Sequence, residues 1–107
     1  MDIAALERMI DRGQDGAMLR FTLGNACGGA GRWPEAAGHY ARALDFDPAY
    51  SAAWQALYKA LDRSGAPAHA LREVAEQGVA TAREQGDMQV VRALEARLRR
   101  LGGSADG

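Results

Sequence analysis

The 107-residue chain has a single cysteine, Cys27, which excludes an internal disulfide. It contains no stretch near the roughly 20 apolar residues that a helix needs to span a bilayer. Its first residues, MDIAALERMID, lack the basic region and unbroken apolar run of an export signal. Net charge of either sign is missing too. Thirteen basic and 14 acidic side chains leave −1, so no overall field draws the molecule to nucleic acid or to an anionic membrane. Aromatic residues make up only 7%, and β-branched residues are not enriched, which disfavours sheet. Together these absences predict a cytoplasmic protein with no membrane segment.

What is present is apolar and small. Hydrophobic residues make up 48% of a length that suits one domain with a modest core. Alanine falls at nearly every third or fourth place. That spacing favours helices packed closely on one another, an all-α chain.

Residues 17–50, AMLRFTLGNACGGAGRWPEAAGHYARALDFDPAY, are echoed 34 places later by residues 51–84, SAAWQALYKALDRSGAPAHALREVAEQGVATARE. Trp54, Leu57, Gly65 and Ala70 share a register with Arg20, Leu23, Gly31 and Ala36. The first copy holds Leu23-Gly24, Gly31, Ala36, Tyr40, Ala43 and Pro48, and the second supplies, as Trp54, the tryptophan that the first lacks at Arg20. This pattern resembles the tetratricopeptide repeat (TPR). The resemblance implies a right-handed stack of antiparallel helix pairs. One departure is Ala82, which stands where the first copy has Pro48 and suggests a longer final hairpin.

Taken in order, the chain predicts six helices in three antiparallel pairs. Residues 2–12 form a capping helix, with Asp2 as N-cap and Ile3, Leu6, Met9 and Ile10 on its apolar side. Helices follow at 17–30, from Pro34 to Asp47-Pro48, at 50–64, and from Ala68 to Gln85. Glycine or proline punctuates each junction. Asp87 caps a last helix reaching residue 101, whose stripe of Val91, Leu94, Leu98 and Leu101 matches the spacing of neither copy and suits a terminal cap. Residues 102–107, GGSADG, have nothing to bury and are expected to be disordered. Gly24, Ala36 and Ala43 are the small residues expected where helix axes come nearest.

In tetratricopeptide proteins the first helix of each pair lines a concave groove that holds a peptide or partner helix. The matching positions are Met18, Phe21, Thr22, Asn25 and Gly28 in the first copy, and Ala52, Gln55, Ala56, Lys59 and Asp62 in the second, with Arg63 beside them. Spacing agrees: Phe21 and Asn25, and Gln55, Lys59 and Arg63, recur at four residues and turn away from the Leu23 and Trp54 stripes. The expected site is therefore Phe21 as an aromatic anchor, Asn25 and Gln55 bonding a bound backbone, and Lys59 and Arg63 meeting an acidic side chain or C-terminus. The family's carboxylate clamp for chaperone tails is absent. Of its five positions only Asn25 matches, and Phe21, Ala56, Gly86 and Val90 fill the others.

Other signals are weaker. GNACGGAG lacks the Lys-Ser or Lys-Thr of a phosphate loop and has no strand before it. Cys27 and His39 approach one another across the first hairpin in this reading, but no orienting group completes a catalytic set. His69 has no ligand set, and two histidines with one cysteine fit no zinc spacing. No cofactor or metal is implied. The arginines of the last helix, Arg92, Arg97, Arg99 and Arg100, are diluted by Asp87 and Glu95 and have no aromatic partner on that helix, so they suit a solvated cap better than nucleic acid. The expected function is a non-enzymatic adaptor for a protein segment. The rivals are self-association into a homodimer through the last helix, by Leu94 and Leu98, and thiol chemistry at Cys27.

Overall fold

The computed structural model describes residues 2–106, with side chains through Gly102. Its helices are α1 (Ile3–Asp11), α2 (Ala17–Gly29), α3 (Trp33–Phe46), α4 (Ser51–Arg63), α5 (Ala68–Gln85) and α6 (Met88–Asp106). Among the described residues there is no strand. Each helix packs on the next, and α4 also touches α6. The result is an all-α helical-repeat stack of 49 × 29 × 18 Å. Helix α6 runs past Leu101, where the sequence places its end, and for residues 103–107 the expected disordered tail lies outside the described side chains.

The helix ends follow their sequence signals. Asp2 accepts the Ala4 N–H at 3.1 Å, satisfying one of the amides that a first turn leaves unbonded. The two repeat hairpins close alike. Gly31 and Gly65 take positive φ, 77° and 82°, and the next amide reaches back to the last turn, Arg32 to Cys27 O at 2.9 Å and Ala66 to Leu61 O at 3.0 Å. That left-handed geometry is cheap only for glycine. Asp87 caps α6, accepting the Val90 amide at 3.3 Å, while its other oxygen accepts the Ser51 hydroxyl at 2.7 Å. One carboxylate thus holds the starts of α4 and α6 together.

The interior divides into two clusters. The first gathers Leu6, Leu23, Cys27, Tyr40, Leu44 and Leu57 from α1–α4, and the second gathers Tyr58, Leu71, Val90, Val91 and Leu94 from α4–α6. Trp54, Leu61 and Val74 pack against both. Six alanines, at 36, 43, 53, 60, 75 and 82, are fully buried. They mark the places where helix backbones approach too closely for a larger side chain. Met9, expected on the apolar side of α1, is instead 37% exposed, since α1 is covered from one side only and Leu6 is its one buried residue.

The two copies solve one packing problem differently. Trp54 fills its position with area, half-buried, its indole N–H donating to Pro48 O at 3.0 Å. Arg20, at the equivalent place, holds Asp15 through two bonds of 2.7 and 2.8 Å and lies 3.1 Å from His39 Nδ1. The second-copy helix α5 also rotates its buried face to Leu71, Ala75, Gly78 and Ala82. Gly78 was not among the expected small residues. A Cβ there would lie 3.0 Å from Trp54 Cβ and 2.5 Å from Leu94 Cδ1.

Two glycine substitutions separate close packing from helix propensity. A Cβ at Gly24 would meet the Tyr40 ring at 2.5 and 2.7 Å, whereas one at Gly38, mid-helix in α3, would meet nothing within 4 Å. Gly24→Ala should therefore destabilise by about 1–3 kcal/mol, and Gly38→Ala should stabilise by about 0.5–1 kcal/mol. Urea unfolding of both variants checks this, and equal signs would contradict the packing described.

Candidate functional site

The first helices of the pairs, α2 and α4, expose one common side, and α6 forms its wall. On that side lies a hollow of about 300 Å³ lined by Phe21, Ala52, Gln55, Ala56, Tyr58 and Lys59, with Ala93, Leu94 and Arg97 from α6. Beside it is a second of about 440 Å³, lined by Asn25, Gly28, Gly29, Trp33, Tyr40, Ala56 and Lys59. Ala56 and Lys59 belong to both, so the two form one trough. Helical spacing accounts for the arrangement. Leu23 and Leu57 take one face of α2 and α4 into the core, which leaves the residues four apart on the opposite face to line the hollows.

The trough has an aromatic floor. The Phe21 ring lies 4.9 Å from Tyr50 and 5.7 Å from Tyr40, both tilted. Burial pushes the Tyr40, Tyr50 and Tyr58 phenols above the usual tyrosine range, so they remain protonated donors. Tyr40 donates to Asn25 Oδ1 at 2.5 Å. Trp33 packs over Gly28, where a Cβ would come 3.0 Å from its ring. Above Trp33 stand two cations, Lys59 Nζ at 5.6 Å and the Arg63 guanidinium at 5.3 Å from the ring centroid. Arg97 stands over Tyr58 at 5.8 Å.

Of the residues expected to form the site, Phe21 and Gln55 line the first hollow, Asn25 the second and Lys59 both. Arg63 lines neither hollow and reaches the trough only through Trp33. Asn25 is narrower in use than expected, because its carbonyl already serves Tyr40 and its amide N–H groups are what it can offer a ligand. Trp33 and the α6 residues Ala93 and Arg97 are additions that the sequence reading missed. Trp33-Pro34 reads as a helix start and hides a groove residue. Counting finds the α6 wall: Leu94 lies 37 places after Leu57, three more than the 34 between Leu23 and Leu57. With that offset Val91, Leu94 and Leu98 take the places of Trp54, Leu57 and Leu61.

The same register corrects the expectation that the α6 stripe is free to pair two chains. Val91 and Leu94 are each 1% exposed, and Leu98 and Leu101 pack on the same cluster. Burying a leucine is worth about 1.5–3 kcal/mol, so a polar residue at 94 would unseat the cap instead of freeing a monomer. Thiol chemistry at Cys27 also loses its basis. Cys27 is 0% exposed, burial and then Glu35 push its thiol up, and no hydrogen bond joins it to His39 among the described residues. His39 turns to Arg20 instead. Among the described residues no group of three or more His, Cys, Asp or Glu is placed to hold a metal ion, and no helix is long and apolar enough to cross a membrane.

No family model matches the chain. It is 44% identical over 101 residues to a TPR repeat-containing protein of Pseudomonas aeruginosa, covering 94% of this chain and 95% of the relative. It is also similar to the solution structure of a Bordetella parapertussis protein, with a TM-score of 0.79 and 40% identity across 97% of this chain and 90% of the other.

Two buried or paired groups set the response to acid. Burial and then Arg20 hold His39 below the usual histidine value of 6.5, and the Arg20 hydrogen bonds hold Asp15 below 3.8. Each is harder to protonate folded than unfolded. The unfolded chain therefore binds the extra protons, and stability is full above the ordinary value and falls as pH drops below it. Melting temperature should decline first below about pH 6.5 and again below about pH 4. His39→Gln, which keeps an acceptor for Arg20, should flatten the first decline and leave the second. Alkylation of Cys27 at neutral pH should be slow until denaturant unfolds the chain, and fast labelling of the native state would contradict its burial.

Proposed function

Because the chain belongs to the tetratricopeptide-repeat proteins, we propose that it is a cytoplasmic protein-interaction module whose trough between α2, α4 and α6 holds a segment of a partner. The single observation that carries this reading is the trough itself. Its floor combines apolar surface, from Phe21, Ala52, Ala56 and Leu94, with the donors of Asn25, Gln55 and Lys59, and none of the chain's own described helices fills it. Concave surfaces of that make-up bury a ligand's apolar side chains and fix its orientation through a few polar groups. The anchoring contacts fall to Phe21 and Trp33, since rigid aromatics contribute most where they are shielded at the centre of an interface. Binding is the role, not catalysis. The one nucleophilic thiol is buried in the core, away from the trough.

Ala56 gives a test at the edge of the core, on the trough side. It is half-buried, lines both hollows and faces the space a ligand would take. Ala56→Tyr should fill the trough and weaken binding of a trough-bound peptide by about tenfold or more. The variant should melt within a few degrees of the wild type. Binding that survives with the trough filled would remove this reading.

A further inference from the structure

Charge in the trough is one-sided although the chain as a whole carries only −1. Lys59 lines both hollows, Arg97 lines the first, and Arg63 shares Trp33 with Lys59. Beyond Arg97 a third hollow of about 170 Å³ shares Tyr58 and Arg97 with the first and adds Arg100. Among the described residues Asp62, in that last hollow, is the only carboxylate lining any of the three. Among the described residues the ion pairs are Arg20 with Asp15, Arg42 with Asp45 and Arg83 with Glu95, so none of the four trough cations is matched. Three of them lie on aromatic faces, at Trp33 and Tyr58. A cation–π contact positions the charge but neutralises none of it and accepts no hydrogen bond.

Resting on the trough reading above, we propose that the partner segment is acidic. An apolar side chain sits in the first hollow against Phe21, Ala56 and Leu94. Aspartates or glutamates on either side of it meet Lys59 with Arg63 at one end and Arg97 with Arg100 at the other. Guanidinium forks suit carboxylates because two parallel N–H···O bonds fit their geometry. Low-dielectric walls strengthen such pairs relative to open water. A nucleic acid would also bring negative charge, but the first hollow, where Ala52, Ala56 and Ala93 lie beside Phe21 and Leu94, suits the apolar side chain of a protein segment.

The experiment selects short linear peptides from a random library on the folded protein, then measures the winners as synthetic peptides. Selected sequences should be enriched in Asp and Glu around an apolar residue and should perturb the amide resonances of Phe21, Gln55 and Lys59. Affinity should fall between about 0.05 and 0.5 M NaCl as the charges are screened. Lys59→Gln with Arg63→Gln, or Arg97→Gln with Arg100→Gln, should each weaken these peptides about tenfold. Arg97→Lys with Arg100→Lys, which keeps the charge and loses the fork, should weaken binding less than the glutamine pair does, separating charge from a merely structural role. Winners that occupy the trough without acidic bias would overturn the proposal and leave the trough reading standing. Winners that perturb only other surfaces, or no winners at all, would remove both. An oligothymidine strand that binds the trough more tightly than the acidic peptides would replace the protein segment with nucleic acid.

Discussion

Close approach of helix backbones is the constraint from which the rest of this structure follows. Gly24 sits under the Tyr40 ring, Gly78 sits against Trp54 and Leu94, and six buried alanines mark the remaining crossings. A helix pair held this tightly has no space between its axes for large side chains. Those side chains are displaced to the flanks, where Phe21, Tyr40, Tyr50 and Trp33 pack against one another or against glycine. The aromatic floor of the trough is thus a consequence of small residues elsewhere. The trough and the core share side chains: Tyr40 is 5% exposed in the core, yet its hydroxyl orients Asn25 in the second hollow.

Helix α4 is the centre of this arrangement. It supplies Leu57 to one cluster, Tyr58 to the other, and Trp54 to both. Its exposed face supplies Gln55, Ala56 and Lys59 to the trough. The trough therefore stands on an element packed between α3 and α5 and touched by α6, which limits the ordering cost of binding. Helix α6 acts as a cap and as a third first-helix at once. Its leucines close the second cluster while Ala93 and Arg97 extend the trough wall.

Much of this was legible in the residues, for a physical reason. A 34-residue period fixes which residues of each pair face inward, so the six helices, the Gly31 and Gly65 turns and the Phe21, Gln55 and Lys59 surface can all be counted. The count fails at α6, because α5 is a turn longer than α3 and displaces the register by three. Without that register, Val91 and Leu94 look like a spare apolar stripe when they are core. Trp33 was hidden differently. Its neighbour Pro34 is a helix-start signal, and nothing local indicates that Gly28, five residues earlier, is the small platform on which the indole lies. Met9 shows the reverse error, since a stripe read by period alone does not reveal that α1, at the end of the stack, is covered mainly by α2.

The distribution of charge completes the picture. Asp15 holds Arg20, and Glu95 holds Arg83, on surfaces away from the trough. A near-neutral chain can still present a cationic trough if its acidic residues are placed elsewhere, and beyond about a Debye length of 8–10 Å those acids do little to cancel it. Net charge is therefore the wrong quantity for judging what this surface attracts. The local imbalance around Lys59, Arg63, Arg97 and Arg100 acts at contact distance, where the apolar walls formed by Phe21, Ala56 and Leu94 reduce the screening that water would provide.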